Sequence, residues 1–107
     1  MKYLEDVLIN YIGEIKNRKF YQDSFNFQKY SFKKLGFILM DYGTILEELS
    51  EENILIVCVK VFFSPAIMAI ELKNNQINIV ACAKEGLIRQ QIAQKAVNKI
   101  KKGILRR

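Results

Sequence analysis

Tyr3, Leu4, Val7, Leu8, Tyr11, Ile12 and Ile15 recur at intervals of three and four residues, the spacing that lines one face of an α-helix. The pattern predicts a helix over residues 3–18. Glu5 and Asp6 fall in its first turn and Lys16, Arg18 and Lys19 at its end, which complements the helix dipole. A different pattern marks "ILIVCVKVFF" (54–63), β-branched and aromatic with Lys60 its only polar member. It predicts a strand, and because its residues do not alternate, both of its faces want cover. "AIMAIEL" and "INIVACA" flank the asparagine-rich "KNNQ" and together predict a hairpin. Ile88, Ile92, Ala93, Ala96, Val97 and Ile100 return to helical spacing and predict a last helix over 85–102. Residues 103–107 are expected to form a disordered basic tail.

Two segments read less directly. "LGFILMDYG" (35–43) is a run of apolar residues closed by a turn at Asp41–Gly43, and it predicts a second strand. "TILE" (44–47) fits a capping box that would start a short helix, but a strand over 44–49 fits as well. Before them, "RKFYQDSFNFQKYSFKK" (18–34) holds six aromatics, five basic residues and one acid, Asp23. Successive side chains of a strand alternate faces, so Phe25 and Phe27 would point one way and Tyr30 and Phe32 the other. A bulge or turn near Gln28–Lys29 would instead bring all four to one side.

The element order predicts an α+β fold. It comprises an N-terminal helix, an antiparallel sheet of about four to five strands, and a basic C-terminal helix, with both helices on one sheet face. Two helices cannot cover the second face as well. A second subunit or a ligand is expected to cover it.

Composition narrows the class. The chain has 107 residues, half of them hydrophobic and about a quarter charged, which suits a single globular domain. The longest apolar run is too short to span a bilayer, and acids interrupt the N-terminal apolar stretch, so neither a membrane span nor a signal peptide is expected. A cytoplasmic protein is the resulting expectation. Cys58 and Cys82 both lie in strand-like runs and are expected as buried thiols. With no histidine and no C-x-x-C spacing, no metal site and no cofactor is expected.

Charge adds the clearest functional lead. Residues 1–34 carry +3, residues 35–59 carry −5 and residues 60–107 carry +8. A polyanion is the natural partner for the basic ends, and a second copy could meet the acidic middle. Proteins that hold single strands combine a positive track with stacking aromatics. The candidates here are Phe25, Phe27, Tyr30 and Phe32 with Lys29, Lys33 and Lys34. Along the last helix and tail they are Arg89, Lys95, Lys99, Lys101, Lys102, Arg106 and Arg107. Tyr30 and Phe32, beside the densest basic cluster, are the favoured exposed pair. The leading expectation is thus non-sequence-specific binding of single-stranded DNA or RNA, by a homodimer or higher homo-oligomer. The alternative is a homo-oligomeric interaction domain that uses the uncovered sheet face. Without histidine the commonest general base is missing, and no phosphate or dinucleotide loop occurs among the five glycines, so no enzyme is expected. One remote catalytic pattern remains: Glu71 and Lys73 form an E-x-K which, with Asp41, would serve a Mg²⁺-dependent nuclease. Attachment to a membrane surface is disfavoured, because the last helix has an alanine-rich apolar stripe without large aromatics.

Overall fold

The computed structural model describes residues 2–13, 20–27, 31–61, 64–83 and 89–106. Among them the elements run α1 (Lys2–Ile12), β1 (Tyr21–Asn26), α2 (Phe32–Leu39), β2 (Thr44–Leu49), β3 (Ile54–Val61), β4 (Ser64–Lys73), β5 (Gln76–Ala83) and α3 (Arg89–Leu105). A 3-10 turn at Ser50–Glu52 joins β2 to β3. The sheet has five strands in the order β1-β5-β4-β3-β2, and every neighbouring pair is antiparallel. The α+β class with helices at both ends of the chain is therefore as expected.

The long apolar strand explains the layering. Along β3, Leu55, Val57 and Val59 join a core beneath α2 and α3, while Ile54 and Ile56 join a second core beneath α1. Period-two alternation turns one uninterrupted apolar run into two buried faces. Two helices do share one face of the sheet, but they are α2 and α3, and α1 lies on the other. Leu4 and Leu8 of α1 bury against Ile54, Ile56, Ile67, Ala69, Val80 and Cys82. The cover expected from a second subunit or ligand is thus supplied, over the apolar part of that face, by the chain's own first helix.

That expectation fails because a segment with the composition of a strand is a helix. "FKKLGFIL" is α2, with Leu35, Ile38 and Leu39 buried at helical spacing. Ser31 caps it, its side chain accepting from the Lys34 N–H at 3.3 Å. Contiguous apolar residues hide both signals. The ambiguous "TILE" segment is a strand, β2, which bulges between Ile45 and Glu47.

The hairpin is as expected: β4 and β5 pair through a turn at Asn74–Asn75, both with positive φ (53° and 60°), the geometry that two-residue hairpins favour. The last helix runs past its expected end, through Gly103 to Leu105, with Ile104 in the core, so most of the expected tail is helix. Cys58 and Cys82 both pair with Ile67, from opposite sides of β4, which sets them about 9–10 Å apart and beyond disulfide reach. Both are thiols, Cys82 buried and Cys58 half-buried. Among the described residues no helix is long and apolar enough to cross a membrane.

Candidate nucleic-acid interface

The described candidate basic residues belong to one layer. α2 and α3 pack against each other and against the same sheet face, and neither helix contains an acid. On α3, Ala93, Ala96, Val97, Ile100 and Ile104 face the core, which leaves Lys95, Lys99, Lys102 and Arg106 exposed. Their spacing of four, three and four sets them in a single solvent-facing row about 16 Å long. Lys33 and Lys34 are exposed in the first turn of α2. Arg89 is the first residue of α3. Lys29, Tyr30 and Arg107 lie outside the described residues.

Lys101 behaves differently from its neighbours. Its ammonium lies 3.4 Å from an Asp23 carboxylate oxygen and 5.5 Å from the centre of the Phe25 ring. Both partners belong to β1. It ties α3 to the edge of the sheet and is engaged within the chain.

The aromatics do not form the expected platform. Phe25 and Phe27 do share a side, as their parity requires, but that side is the core beneath α3, and they are only 9% and 6% exposed. Phe32 opens α2 and packs, half-buried, against the same core instead of standing on an open sheet face. Instead, among the described residues the ring presented to solvent on this layer is that of Phe37, 58% exposed on α2, with Met40 beside it at 62%. Lys33 and Lys34 precede Phe37 by four and three residues, which makes them its neighbours on the helix surface. Sequence reasoning misses Phe37 because a strand through residues 35–40 would place it in the sheet. Helical spacing would have found it, since Leu35, Ile38 and Leu39 turn Phe37 outward.

Four acids gather at one edge of the sheet. Glu47 and Glu48 on the edge strand β2, and Glu51 and Glu52 in the turn after it, are all exposed. Charged side chains on an edge strand also discourage pairing with another chain. Tyr3 of α1 donates a hydrogen bond to the Glu52 carboxylate. That bond, followed by desolvation and the charges of Glu52 and Glu71, raises the Tyr3 hydroxyl above its ordinary value of 10.0.

Glu71 and Lys73 share a face of β4 and line one cleft, but Asp41 does not join them. Thr44, three residues after Asp41, pairs with Cys58, whereas Glu71 pairs with Ile54 at the other end of β3, about 13 Å away. Glu71 instead accepts from Asn78 Nδ2 at 3.0 Å, and Ser24 Oγ donates to Asn78 Oδ1 at 2.8 Å. These residues stand directly opposite one another on β4, β5 and β1, as a polar row in a cleft beside Tyr3 and Leu4 of α1. Among the described residues no cluster of three or more acids or thiols is placed to hold a metal ion. Compared with protein-family models, curated proteins and solved structures, the chain gives no significant match.

Proposed function

We propose that this is a cytoplasmic, non-sequence-specific nucleic-acid-binding protein that favours single strands and holds their phosphates on the α2–α3 layer. The observation that carries the reading is the acid-free row Lys95, Lys99, Lys102 and Arg106, with Lys33 and Lys34 on the adjoining helix. Residues three and four apart on a helix surface have Cβ atoms about 5–6 Å apart, and a row of cations at that spacing presents a repeating positive track to a repeating anion. Four acids sit at the β2 edge and the turn after it, and neither α2 nor α3 contains one, so the field over the two helices is positive although Asp41 follows α2 and Asp23 pairs with Lys101.

The test is binding of fluorescently labelled oligonucleotides across a salt series. Affinity is expected to fall steeply with salt as condensed counterions are released. Replacing Lys99 and Lys102 by Gln should flatten the logarithmic salt slope by about one unit for each phosphate that is no longer neutralised. Lys2→Gln with Lys73→Gln removes the same charge from the opposite side of the sheet and should leave the slope unchanged. Absence of binding at low salt overturns the reading, as would equal slopes for the two double variants.

A further inference from the structure

Beside Phe37 runs a groove of about 380 Å³ between α2 and β2. Phe32, Phe37, Met40 and Ile45 supply apolar walls, with Lys33 and Glu48 also lining it. Its volume falls at the small end of ligand-sized clefts, room for one planar group and not for a duplex. We propose that this groove receives a single unstacked nucleobase of the bound strand, with Phe37 as its stacking surface. The inference rests on the nucleic-acid reading above and assigns its base contact.

Three observations select this occupant. First, exposing a phenylalanine and a methionine side by side is costly unless something covers them. Second, the α2 side of the groove is complementary to a strand's phosphates, while Glu48 stands at its β2 side. Lys33 and Lys34 flank Phe37, and α2 carries no acid, so phosphates seated there place a base over the ring. A second copy docked symmetrically on the same helix would bring two acid-free basic helices together. Third, the β2 end of the groove offers acceptors. Ser50 Oγ donates to Glu48 Oε2 at 2.8 Å, and both residues line the groove with acceptor oxygens. A base edge received there must bring donors. Adenine, cytosine and guanine carry exocyclic amines, whereas thymine has none and offers only its ring N–H between two carbonyls. The groove should therefore rank adenine and cytosine above thymine.

The chain contains no tryptophan, so Phe37→Trp installs a unique reporter in a ring that can still stack. Its emission should quench on adding a deoxyadenosine or deoxycytidine homopolymer, more than with deoxythymidine, and not with duplex. In anisotropy titrations, Phe37→Ala should weaken deoxyadenosine binding by about five- to one-hundred-fold at unchanged salt slope. It should also erase the ranking of bases. Circular dichroism checks the fold of each variant. If the parent protein binds strands with a steep salt slope but Phe37→Ala changes nothing, the groove proposal falls and the phosphate reading stands. If light scattering shows a dimer that Phe37→Ala dissociates without loss of strand affinity, the groove is an interface between copies and the proposal falls. If the parent binds no strand at low salt, both fall together.

Discussion

Gly103 carries more of the architecture than its lack of a side chain suggests. A Cβ built at this position would run into the ring of Tyr42, which packs over α3 from the turn following α2. The glycine lets the last turns of α3 lie against that ring. Gly103→Ala should therefore cost about 1–3 kcal/mol by overpacking, despite alanine's better helix propensity, as read from urea midpoints. The cost should shrink when Tyr42 is also replaced by Ala, because the clash goes with the ring. Lys101 is the second residue whose role the fold decides. With its ammonium between Asp23 and the Phe25 ring, it holds α3 to β1. Lys101→Ala should destabilise the chain by about 1 kcal/mol and leave the salt slope of strand binding unchanged. Lys99→Ala, on the exposed side of the same helix, should do the reverse. Similar lysines in one basic run thus divide into a structural contact and candidate phosphate contacts.

α2 shows how an element can be locally suboptimal. Gly36 sits in its interior, where a Cβ would meet only Leu55 Cδ1 at an ordinary 3.9 Å. Gly36→Ala should thus stabilise the fold by about 0.5–1 kcal/mol in thermal or urea unfolding, through lower chain entropy in the unfolded state. Gly36 also lines the groove beside Phe37, so the same change tests whether that space matters for binding. α1 is held differently: Leu4 and Leu8 bury against the sheet, and Tyr3 reaches Glu52. The protonated Tyr3 hydroxyl makes that bond, and its pKa is raised in the folded state. Its contribution is therefore complete at neutral pH and is lost as pH rises through the raised value. Between neutral pH and about pH 11, the parent should lose more stability than Tyr3→Phe, measured as the difference in urea midpoints.

Polarity links the elements to the proposed activity. α2 and α3 form a basic layer on one side of the sheet, and the acids of β2 and the following turn line one edge. Much of this was legible from residue order alone. Helical spacing defined α1 and α3, the apolar run defined β3, and "KNNQ" defined the β4–β5 turn. Each of those signals is local: a short window carries both the periodicity and its stop. The row of cations was legible only in part: helical spacing places Lys95, Lys99 and Lys102 on the helix, but it leaves Arg106 in a tail and groups Lys101 with them. What stayed hidden depended on packing. Leu35–Met40 has the composition of a strand, and its helical identity rests on a cap and on a core that only the assembled sheet provides. Once α2 is a helix, the sheet has helices on both faces, Phe25 and Phe27 are enclosed, and Phe37 faces outward. Which aromatics are buried and which lysines meet a partner are decided by contacts between residues far apart in the chain. Lys101 and Asp23, 78 positions apart, are one such pair. Local spacing specifies elements and the faces they could present; burial specifies which face each one keeps.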